Sequence, residues 1–280
     1  MTEYEQVRYE VEGRVAKVIL DRPKYRNAQS RLLREEMDDA FDRAVEDQDV
    51  GVIVLSGAGE SFSAGHDLGT PEELQDREQR PYAEGMRGNF ERSVSTNVDN
   101  TLRWRELPKP TIAMVHGYCI YGGWMIASAM DLIFAADDAM FLGSNFQYFS
   151  TPWDIHPRKA KELLFEGRFV DGREAEELGL VNRVYSADRL EAETMAYAQR
   201  VAENDPFQLR MTKLAVNQAQ EAQGFTGAIR AGHPLFLLSS LGEKDPGFTL
   251  AQPDGRRRPM VQRAVENYER HRDEQQRDES

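Results

Sequence analysis

The chain has 280 residues, 40% of them hydrophobic and 9% aromatic, enough to fill the core of one large domain. A formal charge of -13 argues against nucleic acid or an anionic membrane as partner, although a few local cations can still hold a small anion. A single cysteine, Cys119, excludes an internal disulfide framework and suits a reducing compartment, so a cytoplasmic location is expected.

The opening MTEYEQVRYEVEG is charged and lacks an apolar stretch, so no signal peptide is expected. QVRYEVEG and RVAKVILDRP read as a hairpin turning at Glu12-Gly13, and Pro23 ends its second strand. Ser30 is placed to cap a helix through about residue 46, where Leu, Met, Phe and Val recur at helical spacing. GVIVLSG is a short apolar strand that runs straight into FSAGHDL. Residues 70–98 are polar and charge-mixed, and a mobile or variable insertion is expected there. A helix then leads to LPKP, whose prolines announce another buried strand, TIAMVHG. The most membrane-like stretch, residues 117–136, is broken by Gly122-Gly123 and by Asp131. It reads as a buried helix followed by a buried strand, not a span. GREAEELGLVNRVY predicts a short helix turned by Gly179 into a strand. Beyond residue 186 come RLEAETMAYAQRVAEN, a helix opened by Pro206 to about residue 222, and a charged helical tail expected to fray. Short strands alternating with helices predict an α/β class. The core is assigned to residues 1–200, and a helical C-terminal region with a charged tail to 201–280.

Several stretches carry a family resemblance. DRPKYRNA resembles an NRP-x-x-NA turn and SFSAGHDL an F-x-AG-x-D loop. KPTIAMVHGYCIYGG is similar to KP-x-IA-x-V-x-G-x-x-x-GGG, AMDLIFAADDAMF to a CD-x-x-x-A-x-x-A-x-F run, and GREAEELGLVNRVY to A-x-x-x-GLV-x-x-V. Five such elements in order resemble the crotonase (enoyl-CoA hydratase/isomerase) superfamily along nearly the whole chain. The resemblance implies a crotonase-like spiral of ββα repeats with a helical C-terminal trimerisation region, assembled as a homo-trimer or hexamer. It implies an acyl-CoA thioester substrate, with coenzyme A entering as part of that substrate and no separate cofactor. It further implies an oxyanion hole made by the amides of His66 and Gly122, since two fixed N–H groups stabilise the charge that develops on a thioester oxygen. Lys24, Tyr25, Arg26 and Ala28, with Ala64, Asp67 and Leu68, are implied to lie along the nucleotide and pantetheine. Arg26 or Lys24 could meet a phosphate, or each could be solvated surface.

The departures are equally informative. Hydratases of this family exchange protons through two glutamates. Met125 stands at the first position, three residues after Gly122, and Asn145 at the second. Neither side chain transfers a proton as a carboxyl group does. Asp154 follows nine residues later, where other branches of the superfamily carry a working carboxylate. It could act as base, as nucleophile, or as an anchor for its own turn. Tyr121 and Trp124 replace small residues beside the glycine pair and either shape an acyl pocket or pack in the core. Tyr148 could donate to a substrate or be a buried aromatic. The His66 ring could point into the site or away from it, and His156 is a weaker candidate. His116 and Asp131 are read as structural, Cys119 as a small buried apolar residue, and no histidine–carboxylate spacing suggests a metal site. Three functions stay open: an enoyl-CoA hydratase/isomerase-like enzyme, a hydrolase of a CoA thioester or of a β-diketone C–C bond using Asp154, and a catalytically silent acyl-CoA-binding protein.

Overall fold

The computed structural model describes residues 4–143, 147–240 and 259–278. After the antiparallel hairpin of β1 (Val7–Glu12) and β2 (Val15–Leu20) come β3 (Val52–Gly57), β4 (Thr111–Val115), β5 (Tyr118–Ile120), β6 (Leu132–Ala136), β7 (Met140–Leu142), β8 (Phe169–Asp171) and β9 (Arg183–Tyr185). They divide between a six-stranded sheet ordered β1-β2-β3-β4-β6-β9 and a three-stranded sheet ordered β5-β7-β8. Pairing in the larger sheet is parallel from β2 onward, and both faces of β3 and β4 are buried. That burial is why VIVLSG and TIAMV read as continuous apolar runs rather than alternating ones.

Among the described residues the helices are α1 (Arg31–Glu46), α2 (Pro71–Gln79), α3 (Gly85–Ser93), α4 (Asn100–Arg105), α5 (Gly122–Ser128), α6 (Thr151–Asp154), α7 (Pro157–Glu166), α8 (Gly172–Glu177), α9 (Leu190–Ala202), α10 (Pro206–Ala222), α11 (Phe225–Ser240) and α12 (Pro259–Asp278). In α1 the Ser30 side chain accepts from Leu33 N at 3.0 Å, and Leu33, Met37, Ala40, Phe41 and Ala44 form its buried stripe. The chain then climbs as a spiral. β4 leads to β5 and α5, and β6 leads to β7 and then α6, each turn giving one strand to each sheet before its helix. Residues 61–63 complete the preceding turn, because Ser61 bridges Gly117 and Ser63 bridges Cys119. Cys119 itself is fully buried, and burial pushes its thiol well above the usual value.

Two stretches gain detail. Residues 70–98, expected as a mobile or variable insertion, are largely helical, since α2 and α3 occupy most of them. Thr70 caps α2 ahead of Pro71, Glu72 and Glu73, a start signal that overall polarity obscures. The charged tail is anchored along the first half of α12, while residues beyond Tyr268 are mostly exposed. Val261, Ala264, Val265 and Tyr268 pack with Ile120, Leu142 and Phe169 of the smaller sheet, and the Tyr268 hydroxyl donates to Asp171 at 2.9 Å. No helix among the described residues is long and apolar enough to cross a membrane.

Candidate active site

The spiral brings two loop amides together by register. Ser63 pairs in parallel with Cys119, Ser63 N donating to Tyr118 O and Ile120 N to Ser63 O, each at 2.9 Å. His66 lies three residues beyond Ser63 and Gly122 three beyond Cys119, so they are equivalent points on successive turns. On its other side His66 bridges Gln29, which donates to Gly65 O at 2.8 Å and accepts from Asp67 N at 3.0 Å. Successive peptide groups of extended chain face opposite ways, so the His66 N–H points away from Gln29. A Cβ added at Gly122 would stand 3.1 Å from His66 N, and one at Gly65 would stand 3.1 Å from Gly122 N and 2.7 Å from Ile120 O. Only glycine permits that approach. Gly122 opens α5, where a first-turn N–H has no intrahelical acceptor. Two adjacent amides with no acceptor among the described residues can hold an oxygen that gains negative charge.

The His66 ring covers Gly122, with Cε1 3.0 Å and Nδ1 3.1 Å from the position a Cβ would take there. Its Nε2 contacts Gln147 Oε1 at 2.7 Å, and because that oxygen only accepts, the proton resides on Nε2. Nδ1 is buried and unpartnered within the described residues. Burial, and then the charge of Arg34, lowers His66 to about 4 against the opposing Gln147 hydrogen bond. The imidazole is neutral. Gln147 O in turn contacts Nδ1 of the buried His233 at 3.1 Å, tying the site to α11. Tyr121 precedes Gly122 at φ 45° and ψ -101°, in the place of a pattern glycine. It is partly buried against the α12 cluster, and burial pushes its phenol up to about 12. Trp124 and Met125 are both buried in the main core, Trp124 edge-on to Phe141 with centroids 5.9 Å apart. Asn145 lies outside the described residues.

Asp154 ends α6 and accepts from the Ser150 hydroxyl at 2.7 Å. Burial raises it to about 7, while the Ser150 and Ser128 hydroxyls and the Arg105 charge pull the other way. Ser128 ends α5 and closes no regular hydrogen bond, nor does the fully buried Tyr148 hydroxyl. Burial, then Asp154, pushes Tyr148 far above the usual phenol value. Arg105 pairs with Glu106 and with Glu221 at 3.4 Å, and its guanidinium lies 4.2 Å from the Phe225 centroid. Asp154 is therefore a desolvated carboxyl whose own cation is committed elsewhere.

The remaining residues have plainer settings. Lys24 and Arg26 are exposed, and Lys24 lies 3.9 Å from Glu72 and 4.8 Å from the Tyr25 ring centroid. The Tyr25 hydroxyl donates to Glu72 at 3.0 Å, and Arg26 O accepts from Ala64 N at 2.8 Å, joining the two loops. Ala28 is half-buried and donates from its N–H to Tyr25 O, while Leu68 is 49% exposed. Asp67 is buried against Arg22 at 2.9 Å. Burial acts to raise its carboxyl, but bonds from the Thr70 hydroxyl, the Thr70 and Gly69 amides and Arg22 outweigh this and hold it low. Asp131 accepts from Thr111 N and pairs with Lys213, both at 2.8 Å. His116 contacts Gly59 O, and His156 caps α7 from an exposed position. Sequence reasoning missed Gln147, His233, Arg34 and Arg105, whose relevance depends on contacts between distant turns.

A two-sheet spiral whose successive turns set loop amides side by side defines a crotonase-fold protein. The chain belongs to the enoyl-CoA hydratase/isomerase family, whose model matches residues 10–236. It is 40% identical over 248 residues to a Mycobacterium tuberculosis protein carrying the enoyl-CoA hydratase name EchA13, covering 81% of this chain and 78% of that protein. Its fold matches the crystal structure of a Mycobacterium smegmatis protein named as a probable enoyl-CoA hydratase, with TM-score 0.76, 40% identity and coverage of 83% and 93% of the two chains. An enoyl-CoA hydratase/isomerase from Xanthobacter autotrophicus Py2 matches with TM-score 0.75 and 33% identity over 84% of this chain and 87% of that one.

Proposed function

We propose that the protein is an acyl-CoA-processing enzyme of the hydratase/isomerase type. The His66 and Gly122 N–H groups serve as its oxyanion hole and Asp154 as its proton carrier. The observation that carries this reading is the convergence of those two amides across one register step, with the glycines needed for the approach. Negative charge delocalised onto the thioester oxygen as an α- or γ-proton leaves would be held there, one such donor being worth about 3 kcal/mol. A carboxyl near 7 is matched to both giving and taking a proton at neutral pH.

Position favours proton movement along the acyl chain over water addition next to the thioester. Ser128, which faces Asp154, lies six residues beyond Gly122 on α5, ~9 Å at the helical rise. A substrate held by its carbonyl oxygen would therefore meet Asp154 beyond the α-carbon, while Met125, nearer the hole, carries no proton. Migration of a double bond, with Asp154 removing a proton from one carbon and returning it at another, fits that placement best.

The test is a panel of enoyl-, dienoyl- and cyclic β-keto-CoA thioesters in oxygen-18 water, followed by mass spectrometry. An unlabelled positional isomer supports the reading. A labelled hydroxyacyl-CoA would redirect it to hydration, and labelled acid with free CoA, or a ring-opened CoA product, to hydrolysis. Tight CoA binding without turnover would leave the silent binder.

A further inference from the structure

The ion pairs beside the His66 loop do not balance. Around the contact of α1 with α2, Arg77 pairs with Glu73 at 2.8 Å, Arg80 with Glu35 at 2.9 Å and with Asp76, and Arg31 with Asp76 at 3.2 Å. Glu73 is also engaged by Arg31 N at 2.9 Å. These three carboxylates are shared among three guanidinium groups, and Arg34, which feels the Glu73 charge, and Arg92 close no ion pair among the described residues.

These cations gather on one aromatic residue. The guanidinium carbons of Arg31 and Arg92 lie 3.8 Å and 4.4 Å from the Tyr82 ring centroid, and the Tyr82 hydroxyl faces Arg34 and accepts from Arg31 Nε at 2.9 Å. Among the described residues the Arg92 guanidinium otherwise meets only the neutral Asn89. A second, independent feature points to a ligand: beyond the Nε contact to Asp76, Arg31 Nη2 is buried and has no acceptor among the described residues. Leaving a charged donor buried and unused is costly unless something anionic is taken there. A positive surplus in a chain of formal charge -13 is a local arrangement, not a general trend of the surface.

The cluster flanks the His66 loop, away from the Lys24–Tyr25 turn that the acyl-CoA reading gives to the nucleotide. Arg34 is one turn into α1 from Ser30, beside the Gln29–His66 bridge, and its charge reaches the His66 ring. The exposed Lys24–Tyr25 turn meets α2 at Glu72, whereas Arg80 closes the opposite end against α1, ~12 Å away at the helical rise. Resting on the acyl-CoA reading, we infer that Arg34, with Arg92 and Arg31 around Tyr82, binds a carboxylate at the far end of the acyl group. The preferred substrate is then a CoA thioester of a dicarboxylic acid.

The test compares a short-chain 2-enoyl-CoA with its counterpart in which a carboxylate replaces the terminal methyl. Affinity is read by calorimetry and turnover by mass spectrometry, on the full chain and on R34Q, R34K and R92Q, each first checked for an unchanged melting curve. The full chain should favour the carboxylate thioester by at least about tenfold, the equivalent of 1.4 kcal/mol. R34Q should bring the ratio within about twofold and R34K should keep part of it, as expected for charge recognition without the bidentate fork. R92Q reports independently should R34Q fail to fold. Equal handling of both thioesters would overturn the inference while leaving the acyl-CoA reading intact. So would equal weakening of both by R34Q, which would assign the cluster to phosphates of CoA. Failure of both thioesters to bind would remove the acyl-CoA reading itself, and this inference with it.

Discussion

Replacing Asp154 by Asn should make the protein more stable and less active at once, with a stability gain that depends on pH. The ordinary carboxyl value is 3.8, and burial sets Asp154 near 7. Because the folded value is raised, the folded chain keeps a proton that the unfolded chain has lost between those two values. Stability therefore falls as pH rises from about 4 to about 7 and stays reduced above that. At 1.36 kcal/mol per pH unit the full penalty is ~4 kcal/mol, an upper figure because ionisation recruits nearby dipoles and water. Asn keeps the shape without the charge. Its carbonyl can still accept from Ser150, and its N–H has a neighbour in the otherwise unused Ser128 oxygen. Urea unfolding of D154N and the parent at fixed protein concentration should agree within about 1 kcal/mol at pH 4.5. By pH 8 the variant should lead by at least about 2 kcal/mol, and turnover should fall by about 10² to 10⁴. A constant difference across pH, or a variant weaker at pH 8 than at pH 4.5, would refute the desolvation reasoning. Retained turnover would refute the catalytic one.

G122A should lower kcat/KM by about 10² to 10³, because its Cβ would press on His66 N and the ring; a loss under tenfold would argue against the paired amides. The His66 ring resonances should be unchanged between roughly pH 5.5 and 8. Its folded value near 4 lies below the ordinary 6.5, so this group costs stability only as pH falls through that window, and an NMR midpoint near 6.5 would contradict the buried Nε2–H form. R22M leaves Asp67 charged and buried without its partner, and chemical denaturation at pH 7 should show a loss of about 3 kcal/mol. A loss below 1 kcal/mol would mean that the Thr70 and Gly69 bonds suffice. Since the Asp67 carboxyl is held below its usual value, its contribution is present above about pH 4 and fades on further acidification.

Much of the frame was legible in the sequence because its signals are local. Gly13 turns the first hairpin, Ser30 caps α1, and Pro206 opens α10 with Asp205 capping it, each acting within a few residues. The apolar runs of β3 and β4 reported burial on both faces, and the glycines of SAGH and YGG marked where the backbone had to come close. Detail was less legible where polarity masked a capped helix start, as at Thr70-Pro71, or where one apolar stripe lay under a charged tail, as in the first half of α12.

What the sequence by itself determined, then, is the succession of strands, loops and helices, the glycine-marked loops where backbone comes close, and the absence of glutamates at positions 125 and 145. What only the tertiary structure decided is which side chains share those loops. Gln147 reaches His66 across 81 positions, and Arg34 stands beside His66 because Gln29 bridges it. Whether a given arginine is left over is a property of every neighbour it lacks, which no local spacing encodes. The same holds for Asp154, whose proton affinity is set by the burial of the whole turn around it, not by the residues on either side.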